Sequence, residues 1–458
     1  MIIPTIKYQK CFLITICLFV LMAITFVPIP LKAQDEKQDF KKIDSLTFAL
    51  YQQQKWDELI DVGSSALKHG NDYFYLRMRI GIAWYEKQNY RQAIPHFERA
   101  LKFNEMDQSV MEYLYYCYLL SGRQYDVRGL IPELNERTKE KIGIRESGIF
   151  EEIYFEGGPG WGANQQIKDD WGQSDVRDTI YNSAYFYDNY TYFHAGARLK
   201  IHQNISTYQG YGYVQAPFTQ KSRYLNQPAE DFTYTTHQNE YYGNVTIGLP
   251  SGIKIIPAWH FIWYKYDHVN THYDTTSFEL ISDTVKSNIS NYVMSLSIKK
   301  DLPYFALELN GTYGDFSKYN QAQLGISGYT YPFGNLNLYT QTSLINRWQD
   351  NDYSLIFYQM VGGRLTKSFW LESNFTIGDL TNYAENNAFV IYNSPEKINY
   401  KFEATLIYRL NKHLEFSLMY RLLQRESEYL YYVTIDDYER SSVKYLYHTF
   451  IGGIKWMF

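Results

Sequence analysis

The C-terminal stretch Val443–Phe458 alternates between two kinds of side chain with a period of two. One face is mostly apolar, and read back from the end it holds Phe458, Trp456, Ile454, Gly452, Phe450, His448 and Leu446. The other face is mixed and includes Lys455, Thr449 and Tyr447. Such alternation is typical of a β-strand between two different environments, here lipid and a polar interior. An edge strand of a soluble sandwich is the alternative.

The same alternation recurs upstream and favours a multidomain chain whose C-terminal part is an antiparallel up-and-down transmembrane β-barrel of about 14 strands. Strands are predicted near 149–158, 189–203, 205–215, 232–249, 252–267, 287–300, 303–314, 318–331, 333–346, 352–366, 368–379, 398–410, 414–428 and 442–458. Short and long connections alternate, as in bacterial outer-membrane barrels with short periplasmic turns.

Composition fits this prediction. Aromatic residues make up 18% of the chain, including 47 Tyr, whereas Pro is rare at 13. A mean hydropathy of −0.41 is too low for a bundle of membrane helices. The net charge of −5 argues against binding to nucleic acid.

The first 33 residues have the layout of a signal peptide. Lys7 and Lys10 precede the apolar run Cys11–Val27, and small Ala33 is the expected cleavage position. An uncleaved anchor helix is the alternative. Because Cys11 and Cys17 lie within this run, removal would leave only Cys117 and no intramolecular disulfide.

Residues 34–140 carry a helical repeat. The segment KWDELIDVGSSALKHG aligns with NYRQAIPHFERALKFN at an offset of 34 residues. The repeat-packing residues are Gly81, Trp84, Ala93, Phe97 and Ala100, which have tetratricopeptide (TPR) spacing. A third copy is predicted with helices at 112–120 and 125–137, and residues 141–148 are a charged linker. Three unrelated helical hairpins are the alternative.

One hairpin permits a prediction of register. A three-residue turn at 411–413 keeps the apolar faces of both strands together and sets Arg409 opposite Glu415 and Glu403 opposite Arg421. The same alternation then predicts a lumen wall with charges of both signs, which suggests a narrow or gated interior. Its charged members are Arg198, Lys200, Glu308, Glu372, Glu403, Arg409, Glu415, Arg421 and Lys455. A solvated wall without selectivity is the alternative.

No motif indicates catalysis, a cofactor or a metal, so we expect a protein that is not an enzyme. His268, His272 and Asp274 lie in a predicted outer loop and are more typical of polar surface than of a metal site. The glycine-rich run at 157–162 is predicted to be a flexible turn after the first strand.

A signal peptide, the TPR-like residues Gly81, Trp84, Ala93, Phe97 and Ala100, and a barrel with the C-terminal signature Phe450, Ile454, Trp456 and Phe458 resemble outer-membrane proteins of the YaiO-like kind. More loosely, the arrangement is similar to exopolysaccharide export porins with periplasmic repeats.

The resemblance implies a Gram-negative outer-membrane protein with its barrel at 149–458 and its repeat domain at 34–140 in the periplasm. The expected function is a channel or an envelope-assembly or export component that docks a periplasmic protein through the repeats, with a polysaccharide or small solute as substrate. A non-conducting barrel anchor and a lipid-modifying enzyme are the alternatives.

Overall fold

The computed structural model describes residues 40–144, 148–171, 181–224, 230–274, 279–316, 319–350, 352–394, 396–432 and 438–458. The predicted signal peptide lies outside these residues. Within them, no helix is long and apolar enough to cross a membrane.

In the described residues the N-terminal domain consists of three helix pairs, as the repeat predicted, followed by one further helix. They are α1 (Phe40–Gln52), α2 (Trp56–Lys68), α3 (Phe74–Glu86), α4 (Tyr90–Leu101), α5 (Gln108–Leu120), α6 (Gln124–Leu130) and α7 (Glu136–Ile142). Successive pairs begin 34 residues apart, which is the TPR period. A Cβ on Gly81 of α3 would lie 2.7 Å from the Phe97 ring of α4. The small residue is therefore what allows these two helices to pack closely.

The third pair departs from the predicted boundaries. Its second helix, α6, ends at Leu130 instead of continuing to residue 137, and a short 3₁₀ turn with Pro132 follows. Proline lacks the N–H that a continuing helix requires, so the chain restarts as α7 after the Asn135 cap. The predicted linker accordingly begins as helix, because α7 extends to Ile142.

The C-terminal domain is a closed antiparallel barrel of 14 strands, and this confirms the predicted fold class. Its wall is formed by β1 (Phe150–Gly162), β3 (Tyr190–His202), β4 (Ile205–Tyr224), β5 (Glu230–Leu249), β6 (Ile253–Asp274), β7 (Glu279–Asp301), β8 (Phe305–Asp315), β9 (Asn320–Thr330), β10 (Leu338–Gln349), β11 (Asp352–Arg364), β12 (Phe369–Ile377), β15 (Lys397–Arg409), β16 (Leu414–Tyr432) and β17 (Tyr438–Met457). Pairing of β1 with β17 closes the ring.

The last strand shows the two faces that its sequence predicted. Phe450, Ile454, Trp456 and Phe458 are exposed on the outer surface, by 40% to 60%, whereas the intervening Ile451 is buried inside. An apolar outer surface above a polar interior is what a membrane requires of a barrel. The hydrophobic C-terminal residues therefore belong to the lipid-facing surface.

Two predicted loops are strand instead. The run at 157–162 continues β1, because Gly158 packs so closely against β17 that a Cβ would collide with the Phe450 carbonyl. β6 and β7 extend to Asp274 and from Glu279, so the expected outer loop is a long hairpin. Of His268, His272 and Asp274, which were predicted to be polar surface, the side chains of His272 and Asp274 lie outside the described residues.

The long connection after β1 also has structure. It contains helix α8 (Gln165–Trp171) and strand β2 (Tyr181–Tyr187). β2 pairs with both β4 and β16, although β3, β1 and β17 separate those two strands around the wall. The strand therefore bridges part of the long-loop mouth of the barrel.

Candidate functional site in the barrel lumen

The most unusual feature of the barrel is a segment that folds into its lumen. Residues 379–394, here called the lumen hairpin, connect β12 to β15 and contain the short antiparallel strands β13 (Ala384–Glu385) and β14 (Val390–Ile391). Asn386, Asn387 and Ala388 at the tip have φ of 51°, 57° and 65°, the left-handed conformation of a tight turn. Tyr383, Ala388 and Tyr392 are buried. This segment is therefore packed against the barrel interior.

The hairpin tip reaches the far side of the ring. Asn310 on β8 donates to Asn387 Oδ1 at 3.0 Å, and the Ser297 hydroxyl on β7 donates to the same oxygen. His260 on β6 donates from Nδ1 to the Ala388 carbonyl at 2.8 Å. Because β6 lies opposite β12 and β15 in the ring, these contacts carry the hairpin across the full width of the lumen.

A buried chain of charges fixes the hairpin to its own wall. Lys401 Nζ on β15 lies 2.6 Å from Glu385 Oε2 of the hairpin and 2.8 Å from Glu403. Arg421 Nε on β16 lies 2.5 Å from Glu403. Lys401 is fully buried, so loss of either carboxylate would leave a desolvated charge incompletely compensated. Two acids and two bases balance, which keeps this cluster neutral.

The two ends of the hairpin are held in the same way. Asp379 pairs with Arg347 of β10 at 2.9 Å, and the same guanidinium donates to the Thr381 carbonyl at 2.8 Å. After the hairpin, Glu396 accepts from Arg425 at 3.2 Å and from the Tyr445 hydroxyl at 2.6 Å. Ion pairs thus anchor the hairpin at its entry, its middle and its exit.

A cavity of about 440 Å³ lies between the hairpin tip and the rim that carries the short turns. Its wall is aromatic and polar, with charges of both signs. The lining residues include Glu152, Tyr154, Glu156, Arg198, Tyr208, Tyr242, Asn387, Phe389, Glu415, Ser417 and Lys455. Two ion pairs join lining residues, Arg198 with Glu152 at 3.1 Å and Lys455 with Glu415 at 3.0 Å. We call this space the lumen chamber.

The lumen-wall residues predicted from the two-residue alternation all lie on barrel strands. Both cross-strand ion pairs expected from the hairpin register are formed, with Arg409 at 3.0 Å from Glu415 and Arg421 at 2.5 Å from Glu403. Glu308 accepts from Tyr329 at 2.7 Å, and Glu372 accepts from Tyr339. Lys200 lies on β3, two residues from Arg198.

The helical domain packs against one part of the short-turn rim. Arg91 of α4 pairs with Asp301 of β7 at 2.8 Å and lies over the Tyr331 ring at 3.5 Å. Its backbone N–H donates to the Gly334 carbonyl. The Gln88 backbone carbonyl accepts from the Asn335 side-chain amide at 3.0 Å. These contacts dock the α3–α4 pair on the turns that follow β7 and β9.

The third helix pair makes a second set of contacts along the same rim. Arg128 of α6 lies 2.8 Å from Glu151 and donates to Ser206 of β4 at 2.7 Å. Asp126 accepts from the Gly252 N–H at 3.1 Å, in the turn before β6. The docked side of the repeat therefore belongs to α4 and α6, the second helices of their pairs.

The residues predicted to pack the repeat lie between its helices. Ala93, Phe97 and Ala100 are fully buried in α4, and Trp84 of α3 packs against the core partly exposed. The Phe97 ring stacks on Tyr113 of α5 at 5.1 Å. Cys117 is buried and free.

Comparisons with known proteins give only likenesses of low identity and low TM-score. No family model matches the sequence, and no curated protein matches it. Solved structures similar to the barrel include Omp33 of Acinetobacter baumannii (7% identity, 68% of this chain and 100% of that chain, TM-score 0.31). The toluene transporter TodX of Pseudomonas putida is another (6%, 66% and 88%, TM-score 0.40).

The helical part is similar to MamA (21% identity, TM-score 0.20). That match covers 23% of this chain and 59% of the MamA chain, so this chain spans about three fifths of that protein's length. The class is defined by the structure itself: a β-barrel of the outer-membrane type that carries an N-terminal TPR-like helical domain.

Proposed function

We propose that this protein is an outer-membrane channel or export component whose lumen is closed by the lumen hairpin. The observation that carries the proposal is the hairpin itself, which crosses the lumen between Lys401 on one wall and His260 on the other. A mere anchor needs no lumen segment, whereas a closed channel needs one that can move. The chamber of about 440 Å³ would hold a small solute beneath it.

The contacts of the hairpin suggest where it would open. Its tip is held by hydrogen bonds from uncharged groups such as Asn310, whereas its entry, middle and exit are held by buried ion pairs. Neutral hydrogen bonds contribute about 1 kcal/mol each, far less than the cost of separating a buried pair. The tip is therefore the part that would leave the far wall first.

In this proposal the helical domain lies in the periplasm and docks a partner protein. Its α4 and α6 side faces the barrel, which leaves the first helices of the pairs for the partner. Phe48 of α1 and Tyr75 of α3 are exposed by 45% and 64%, and Arg79 lies over both rings at 5.2 Å and 6.0 Å. We propose no catalytic role.

The alternative is a non-conducting anchor that displays the helical domain. The neutral, fully buried cluster of Lys401, Glu385, Glu403 and Arg421 favours it, because so many satisfied charges also suit a permanent core.

Planar-bilayer recordings separate the two functions. The full-length protein is compared with a variant in which residues 380–393 are replaced by a short Gly-Ser linker. A channel closed by the hairpin predicts rare, brief openings in the wild type and steady conductance in the variant. A variant that inserts as a folded barrel and stays silent would support the anchor.

A further inference from the structure

His260 of β6 lies between the hairpin tip and an acidic residue of the barrel wall. Its Nδ1 is 2.8 Å from the Ala388 carbonyl oxygen, and its Nε2 is 3.5 Å from Glu240 Oε2 on β5. The side chain is only 1% exposed, and Nε2 has no hydrogen-bond partner among the described residues. Each ring nitrogen therefore faces an oxygen that accepts hydrogen bonds, a carbonyl on one side and a carboxylate on the other.

A neutral imidazole cannot satisfy both of these oxygens, because it carries a single N–H. The imidazolium form of His260 carries two, and it would donate to Ala388 and to Glu240 together. A neutral Glu240 carboxyl that donates to Nε2 requires the same number of protons. One titratable proton between Nε2 and Oε2 therefore completes the contact.

Loss of that proton acts on the hairpin through a competition between the two acceptors. The remaining N–H can bond either the Glu240 carboxylate or the Ala388 carbonyl. Hydrogen bonds to an ionised acceptor are stronger than those to a neutral one, so the N–H is retained at Nε2. Nδ1 then faces the Ala388 carbonyl without a hydrogen, and the hairpin tip loses one of its bonds to the far wall.

A second histidine also contacts the hairpin. The ring of His194 on β3 lies edge to face with Phe389 at 5.1 Å, and its charge would act on that of His260. Its Nε2, however, is 2.9 Å from the Tyr208 hydroxyl, a group that can donate or accept. This ring is therefore satisfied in its neutral form, unlike that of His260.

The other titratable groups around His260 do not compete for the proton. Tyr242 on β5 packs its ring at 5.8 Å, and phenols titrate only near about pH 10. On β7 the residue in register is the uncharged Val293. The hairpin carboxylate, Glu385, pairs with the buried cluster on the opposite wall. Glu156 on β1 acts on the ring at position 194 and accepts from tyrosine hydroxyls.

We propose that His260 and Glu240 form a pH-sensitive latch for the lumen hairpin. The latch is closed while the two side chains share a proton, and it opens as the pH rises through the range in which imidazole loses its proton. Its effect on the lumen rests on the proposed function, because only a channel closed by the hairpin would open with it. Release of the tip itself does not depend on conduction.

Hydrogen exchange of the full-length protein in detergent micelles measures release of the tip directly. β13 and β14 are two residues long, so a released hairpin has too few bonds to stay folded, and the amides of 386–393 should exchange faster. Rates are corrected for the intrinsic effect of pH on amide exchange. Bilayer recordings over the same range, about pH 6 to 8, measure openings separately.

In the wild type, corrected exchange at 386–393 is expected to be at least about fivefold faster at the upper end of this range, the change that loss of one neutral hydrogen bond produces. In E240Q the Gln amide donates to Nε2, so a neutral His260 keeps its Nδ1–H on Ala388 and exchange should stay slow at every pH. The control H194Q removes the neighbouring imidazole and should keep the wild-type dependence.

A wild-type dependence that persists in E240Q, or that disappears in H194Q, would overturn the latch. Exchange that depends on pH in a protein without conductance supports the latch and counts against the channel. Conductance with pH-independent exchange counts against the latch alone. Should E240Q fail to fold, H260Q takes its place: position 260 then cannot titrate, so exchange should be independent of pH, and a wild-type dependence would refute the proposal.

Discussion

Arg91 in the helical domain and Asp301 in the barrel form an ion pair with an Nη2–Oδ1 distance of 2.8 Å, and each side chain is only 3% exposed. The Arg91 backbone N–H and guanidinium also donate to carbonyls of the rim, at Gly334 and Leu302. The helical domain is therefore built onto the barrel, and its orientation relative to the lumen is fixed by buried contacts.

The first prediction concerns this pair. The substitution D301N leaves the buried Arg91 guanidinium without its partner, which costs about 3 kcal/mol of docking free energy. R91M should cost less, because Asp301 keeps Lys254 at 3.7 Å. The double variant should lose less than the sum of the two. Native-state hydrogen exchange of the backbone amide at residue 91, which is bonded to Gly334, measures the opening.

A matched control is K139M, which breaks an exposed pair with Glu136. Exposed ion pairs contribute at most about 1 kcal/mol, so exchange at residue 91 should be unchanged. Single variants at Arg91 and Asp301 that behave like this control would contradict the buried-pair account.

The second prediction concerns the charges that hold the hairpin. The substitution E403Q removes the carboxylate shared by Lys401 and Arg421, and should therefore loosen the middle of the hairpin. Bilayer recordings are expected to show openings at least ten times more frequent than in the wild type, which corresponds to about 1.4 kcal/mol. E428Q serves as control, because Glu428 pairs with Arg440 on the exposed surface. Equal opening frequencies for E403Q and E428Q would count against a gate at this cluster.

The third prediction tests packing within the repeat. In G81A the new Cβ would lie 2.7 Å from the fully buried Phe97 ring, so the helices must separate. Overpacking costs about 1–3 kcal/mol and exceeds the helix-propensity gain of alanine. Thermal unfolding followed by circular dichroism at 222 nm should show a lower midpoint. G129A in α6 is the control, because its nearest neighbour is 4.0 Å away, and it should be neutral or stabilising. An unchanged midpoint for G81A would be unexpected on this account.

The fourth prediction is a dependence on pH. Burial, together with the positive charge of Arg77, lowers the pKa of His96 to about 4. In the unfolded chain the pKa is about 6.5, so the unfolded state binds a proton first as the pH falls. Stability of the helical domain is then complete above pH 6.5 and decreases toward pH 4.

At pH 5 the expected loss is about 2 kcal/mol. H96Q, which cannot titrate, should flatten the profile between pH 5 and 7.5. Hydrogen exchange within α4 provides the measurement. A wild-type profile that is already flat over this range would contradict the lowered pKa of His96, because the folded and unfolded states would then bind its proton equally.

Much of the fold follows from local patterns in the sequence. The period of two located the 14 wall strands because each has lipid on one side and polar groups on the other. The register of β15 and β16 was predictable because a slip of one residue would bring Arg409 and Glu403 to the lipid side. The 34-residue offset located the helix pairs.

The lumen hairpin could not be predicted in the same way. Residues 379–394 follow neither period, and their contacts to Lys401, His260 and Asn310 are distant in sequence. The sequence did contain one indication. The alternation of β15 directs Lys401 to the barrel interior, and a buried lysine requires a carboxylate partner. Glu403 supplies one on the same strand, and the second, Glu385, comes from the long connection between the predicted strands 368–379 and 398–410.

The most direct test of the closed lumen is the accessibility of a thiol in the chamber. Ser417 lines the chamber beneath the hairpin, so S417C is labelled with a small, membrane-impermeant thiol reagent applied from the long-loop side. Cys117 is buried and should contribute little background. Closure by the lumen hairpin predicts no labelling in the otherwise wild-type chain and rapid labelling when residues 380–393 are replaced by a short linker. Equally rapid labelling of both proteins would contradict closure by the lumen hairpin.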